Sequence, residues 1–191
     1  MGNTRFLVKM AIAIVIGATL TFVLMLFASI PTGVADTYIN FGIAILAAFS
    51  AIFGPIAGFL IGLIGHALTD LSYVLIDSSG DARIWWSWVI SSAIFGGAIG
   101  WFWKSYKINE GSFGLKECLT FNGIQIAANV LVWVFLARTL DMIIYKEAFE
   151  KVSLQSFAAA GFNSAVVLVL GSLLVLVYSK FIAKPPEGKT E

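Results

Sequence analysis

Residues Gly58–Ile76 read GFLIGLIGHALTDLSYVLI, an apolar run broken only by His66, Thr69, Asp70 and Ser72. A bilayer crossing takes roughly 20 predominantly apolar residues, so this stretch has the length and composition of a membrane helix. The chain's single histidine, His66, lies inside it, and Asp70 follows one turn later. Residues four apart lie on one face of a helix. Polar groups at such a depth need a partner, water or a substrate, because hydrocarbon satisfies nothing.

The remainder of the chain supports a membrane setting. Of 191 residues, 59% are hydrophobic and 12% charged, against a usual charged share of about a quarter. The mean hydropathy is +0.92. Eighteen glycines sit mostly within apolar runs, as in membrane helices that pack backbone to backbone. A net charge of +1 provides no basic patch for nucleic acid. Cys118 has no second cysteine to pair with. No HExxH or Walker A sequence occurs, and a zinc site built on two histidines is excluded. The chain therefore reads as a non-enzyme without an intrinsic cofactor.

Six apolar runs follow one another. The first, about Leu7 to Ser29, is too long for a signal-peptide core and reads as a retained helix. Pro31 and Gly33 end it, and PTGVADTYIN forms a polar connection. Phe41–Phe53 is short, and Gly54-Pro55 breaks it from the third run, Ile56–Ile76. The fourth, Ile84 to about Phe102, carries tryptophans at both ends, where interfacial aromatics tend to lie. The fifth, Leu119 to about Leu136, can continue to Ile144. YKEAFEKVSLQ reads as a separate polar amphipathic segment before the last run, Phe157–Tyr178. Residues 1–183 form one transmembrane domain and 184–191 a flexible tail.

Six crossings place both ends on one side. That side collects Arg5, Lys9, Lys104, Lys107, Lys116, Lys180, Lys184 and Lys189. The other holds Arg83, Arg138, Lys146 and Lys151, diluted by carboxylates. The excess predicts cytoplasmic termini by the positive-inside rule. The polar intramembrane residues then converge on the external half: Asn40, Asp70, Trp85, Trp86, Trp88, Asn129 and Asn163, with His66 near mid-membrane.

Each of these has more than one reading. His66 and Asp70 read as a structural bond between helices, as a substrate wall, or as a proton relay. Three tryptophans in four residues exceed one interfacial anchor, and at least one faces the bundle or outer loops, where a ring can pack or stack on a flat ligand. Asn122, Gln125 and Asn129 share a face and read first as helix–helix glue. Ala13, Gly17 and Thr21, spaced by four with Ala18 beside them, form a small-residue stripe for close approach of another helix, internal or foreign.

FGPIAGFLIGLIGHALTD, WWSWVISSAIFGGAIGWF and AIAIVIGATL together resemble the membrane substrate-binding (S) component of an energy-coupling factor (ECF) transporter, in the family often labelled riboflavin-type. The resemblance covers nearly the whole chain. It implies an all-α integral membrane protein, a six-helix bundle with both termini cytoplasmic, in the cell membrane. It also implies capture of a vitamin from outside, with a transmembrane coupling subunit and two cytoplasmic ATPases as partners that use ATP. The stripe Ala13/Gly17/Thr21 matches the position of the coupling surface on the first helix, with Gly17 departing from a strict AxxxA pattern. The implied pocket joins the first outer loop, including Tyr38 and Asn40, to Trp85, Trp86, Trp88 and the outer ends of the last two helices. Riboflavin suits tryptophan stacking and amide hydrogen bonds; cobalamin fits if the outer loops open. Two other classes compete: a self-contained proton-coupled transporter using His66 and Asp70, and a structural membrane subunit that binds no solute.

Overall fold

The computed structural model describes residues 2–80 and 82–183. Asp81 and the tail 184–191, with Lys184 and Lys189, lie outside the described residues, as does the Arg5 side chain. The described residues form six helices. They are α1 (Gly2–Phe27), α2 (Gly42–Phe53), α3 (Pro55–Ile76), α4 (Trp86–Trp101), α5 (Leu115–Tyr145) and α6 (Phe149–Phe181). Between α1 and α2 a small hairpin pairs β1 (Ile30–Pro31) with β2 (Tyr38–Ile39), in the register Ile30↔Ile39 and Pro31↔Tyr38. Two 3₁₀ turns, Trp103–Tyr106 and Ile108–Glu110, occupy the charged connection after α4.

Among the described residues four helices, Phe6–Phe27 of α1, α3, α5 and α6, are long and apolar enough to cross a membrane. The second run remains short: α2 has 12 residues, about 18 Å at ~1.5 Å per residue. Its apolar character has a different cause from that of the lipid-facing helices. Nine of its residues, among them Leu46, Ala47 and Ala51, are buried, so α2 is hydrophobic all round because protein surrounds it. Tyr38 does not extend it, being in β2. Gly54 separates α2 from α3 with φ +91°, a left-handed conformation open to glycine. Pro55 then opens α3 at a position where the missing N–H costs nothing. The segment YKEAFEKVSLQ is not a separate element. From Phe149 onward it forms the first turns of α6, which runs for 33 residues.

Glycine sets the closest helix contact. On α3 and α4, Gly58 faces Gly96 and Gly62 faces Ser92, while Gly100 meets the Gly54 backbone. A Cβ at Gly58, Gly62, Gly96 or Gly100 would overlap opposing backbone. On the other side of α3, Gly65 lies against Thr21 and Ala18 of α1, and Ile61 against Gly17. α1 and α3 therefore run parallel, with α2 returning between them.

The two ends of the bundle differ. At one, Asn109 donates to the Ile52 carbonyl (2.9 Å) and Phe113 N–H donates to Ser179 Oγ (3.3 Å). These bonds gather the α2–α3 turn, the α4–α5 connection and the end of α6. The start of α1 points the same way. The opposite end holds the hairpin and the α3–α4 and α5–α6 connections.

Candidate functional site

A cavity of about 320 Å3 lies at the hairpin end. Three helices supply its walls through residues three or four apart. On α3 these are His66, Thr69, Asp70 and Tyr73; on and just before α4, Trp85, Trp88 and Ser92; on α6, Lys151, Gln155, Ala159 and Asn163. α5 adds Trp133 and Asp141. They belong to π-helical stretches, Val130–Ala137 and Asp141–Tyr145. Such turns bond i to i+5 and are wider than α turns, which keeps Asn129, Trp133, Ala137 and Asp141 in one buried line. The hairpin covers the top: Gln155 donates to the Ala35 carbonyl (3.0 Å), and Lys151 lies 3.7 Å from Asp36 and 3.0 Å from Glu147.

The aromatic wall is fixed by polar bonds. Trp88 donates its indole N–H to Asp141 Oδ2 (2.8 Å), and the Ser87 hydroxyl donates to the other carboxylate oxygen. Trp133 tilts against Trp88 at 5.2 Å between ring centres and donates to Asn129 Oδ1 (2.9 Å). Asn129 in turn donates to Gln125 Oε1 (2.9 Å). Trp85 packs edge-on to Tyr145 at 4.6 Å, and the Arg83 guanidinium lies 5.1 Å from the Trp85 ring. The first amides of α4 find partners here as well. Asp70 Oδ2 accepts the Trp85 N–H (2.9 Å), and Tyr145 accepts that of Trp86 (2.8 Å). Carboxylates at a helix N-terminus also complement its dipole.

Seven of the nine solute-site residues expected from sequence line this cavity: Tyr38, Asn40, His66, Asp70, Trp85, Trp88 and Asn163. Trp86 and Asn129 do not. Trp86 points outward and is 49% exposed, while Trp85 and Trp88 take the cavity side. Asn129 stands behind the wall, holding Trp133. Its neighbours on the polar face do join helices: Asn122 donates to Ser172 Oγ (2.8 Å) and Gln125 to the Ser164 carbonyl (3.2 Å).

His66 and Asp70 are not bonded to each other. His66 Nδ1 meets Ser92 Oγ at 2.6 Å, whereas Nε2 stands 3.7 Å from Asp70 Oδ1, beyond hydrogen-bond range. Trp133, Asp141, Arg83, Lys151 and Gln155 are wall residues that sequence reading missed. The tryptophan was hidden inside the continuous run VLVWVF; the aspartate and lysine looked like ordinary loop charges.

The stripe Ala13/Gly17/Thr21, expected to meet a coupling subunit, faces the interior of the bundle. All three residues are buried within the chain. A Cβ on Gly17 would stand 2.6 Å from Ile61 Cδ1 and 2.9 Å from Phe49 Cδ1, and Thr21 packs against Gly65. The close approach that small residues allow is used within the chain, by α2 and α3. The outward face of α1 instead carries Ile12, Val15, Ile16, Leu20 and Val23.

The family model for the ECF-type riboflavin transporter, S component, matches residues 5–180. The chain belongs to this family. It is a multi-pass membrane protein, and the S components of this family are substrate-binding subunits of transporters. Among similar chains is a UPF0397 protein of Leuconostoc citreum (strain KM20), 42% identical over 190 residues, which cover 99% of this chain and 97% of that one. A UPF0397 protein of Streptococcus pneumoniae (strain CGSP14) is 43% identical over 175 residues, 92% of each chain. One from Lacticaseibacillus casei (strain BL23) is 40% identical over 172 residues, 90% of this chain and 89% of its own. No solved structure matches.

Proposed function

We propose that this chain captures a small, planar, water-soluble vitamin of the riboflavin type from outside the cell and passes it inward through an ECF-type importer. The cavity carries the reading. Its volume of about 320 Å3 lies at the lower end of the ~300–1,000 Å3 typical of small-molecule sites. Indole rings suit the face of a flat ring system. Cobalamin, being several times larger, requires the hairpin to leave Gln155 and Lys151. The rim reaches the surface at Tyr38, which is 50% exposed.

Charge supports the orientation. The end away from the cavity carries Lys9, Lys104, Lys107, Lys116 and Lys180, and the cavity end mixes its cations with Asp36, Asp77, Asp141, Glu147 and Glu150. The positive-inside rule then puts both termini in the cytoplasm and the cavity outside. Under this reading residues 1–183 are one substrate-binding domain, with all six helices embedded, and 184–191 a cytoplasmic tail. A coupling subunit and two ATPases supply the energy; the vitamin is cargo, and the chain holds no cofactor of its own.

Uptake of labelled riboflavin by cells expressing the chain, with and without an ECF coupling subunit and its ATPases, tests this. Uptake only with the partners is expected. Uptake by the chain alone, abolished by collapsing the proton gradient, supports a proton-coupled transporter instead.

A further inference from the structure

Among the described residues, three polar side chains on the cavity wall keep atoms that no protein group satisfies. Asn163 is 5% exposed, and its side-chain amide has no hydrogen-bond partner among the described residues. Asp70 is 8% exposed; one of its oxygens holds the Trp85 N–H, and the other, Oδ1, accepts no hydrogen bond. His66 is 8% exposed and engages only Nδ1. All three line the same cavity, and a few convergent polar groups in a small-molecule site are what orient its ligand.

The proton on His66 follows from Ser92. Its neighbour Ser91 donates to the Ser87 carbonyl of its own helix (2.7 Å), whereas Ser92 makes no such bond and meets only His66 Nδ1. With the hydroxyl proton assigned to this bond, the ring proton is on Nε2. The wall therefore presents a donor, His66 Nε2–H, beside an acceptor, Asp70 Oδ1, 3.7 Å apart. They are too far apart to satisfy each other and spaced to meet two neighbouring atoms on one ring edge.

We propose that His66 and Asp70 read the edge of a planar nitrogen heterocycle that displays an acceptor next to an N–H, with the Asn163 amide supplying a further contact. This rests on the reading of the cavity as a solute site and narrows its ligand class. The carboxylate requires a donor from the ligand. A lactam, an imide or an amino group beside a ring nitrogen qualifies; an N-alkylated ring or an anionic group at that edge does not.

The test pairs two ring types with their blocked forms: riboflavin against N3-methylriboflavin, and 4-aminopyrimidine against 4-(dimethylamino)pyrimidine. Binding to the purified full chain is read by tryptophan fluorescence and calorimetry. A hydrogen bond to a charged group corresponds to about tenfold to a hundredfold in affinity, so one N–H-bearing ring should bind that much more tightly than its methylated partner. Asp70→Asn keeps an oxygen for the Trp85 N–H and turns a donor toward the cavity. It should fold normally and lose the discrimination.

Tight aminopyrimidine binding with discrimination, and none of riboflavin, sinks the riboflavin reading and leaves this inference standing. Riboflavin and N3-methylriboflavin binding equally well would sink the inference and leave the riboflavin reading intact. Discrimination that persists in folded Asp70→Asn, or binding of none of the four probes, overturns the inference as well.

Discussion

Gly62→Ala probes the contact on which the cavity wall depends. A Cβ at Gly62 overlaps the Ser92 carbonyl oxygen, stands 2.6 Å from the carbonyl carbon and lies 2.9 Å from Ala93 N. These are backbone atoms, so no rotamer change relieves the clash. Carbon atoms prefer separations of roughly 3.5–4.0 Å, and restoring one requires α3 and α4 to part by about 1 Å. The His66–Ser92 bond, 2.6 Å long, would then stretch past the range of a hydrogen bond. Overpacking costs about 1–3 kcal/mol, and the lost bond adds about 0.5–1.5 kcal/mol. At ~2–4 °C per kcal/mol for a chain of this size, Tm should fall by about 3–18 °C. Gly161→Ala is the control, because no atom lies within 4 Å of its added methyl. It should gain about 0.5–1 kcal/mol from the lower conformational freedom of alanine. The assay is the fraction of detergent-solubilised protein that remains monodisperse after heating. An unchanged Tm for Gly62→Ala would refute the close α3–α4 packing and the positioning of His66 derived from it.

Gly17→Leu should destabilise the isolated chain, because the side chain runs into Ile61 and Phe49; a stable variant that fails only to co-purify with a coupling subunit would restore the stripe as a docking surface. Asp141→Ala releases both Trp88 and Ser87, and should weaken solute binding about tenfold or more and cost roughly 1–3 kcal/mol of stability for the lost bonds. Equal affinity in folded Asp141→Ala would show that the Trp88 position does not matter to the ligand. For topology, cysteines at Lys107 and Ser79 in a Cys118-free background should respond oppositely to an impermeant thiol reagent in sealed cells, with Ser79 labelled and Lys107 protected. The reverse pattern would turn the bundle over.

The six helices and the breaks between them were legible as apolar runs, because Gly54-Pro55, the hairpin residues and the charged connection interrupt the pattern where the chain turns. Helix ends were less legible, for a reason visible in α6. Lys151 and Gln155 look like connection residues by composition, yet they continue the helix and point at Asp36 and Ala35. His66, Asp70 and Trp88 stood out as polar or aromatic residues where hydrocarbon-facing positions were expected. Trp133 did not, since one more large residue in VLVWVF changes no pattern; only the π turns and the Asn129 bond reveal its inward direction. The small-residue stripe shows the opposite failure. Spacing by four reports that a helix comes close, and carries no information on whether that helix belongs to the same chain.

The most direct measurement is native mass spectrometry of the gently purified full chain after incubation with riboflavin, alongside Trp88→Ala under the same conditions. A solute-capturing cavity should give a one-to-one adduct on the wild type and a strongly reduced adduct on folded Trp88→Ala. A wild type that shows only its bare mass with riboflavin, and retains no small molecule from the cells that made it, would contradict capture of a solute in this cavity.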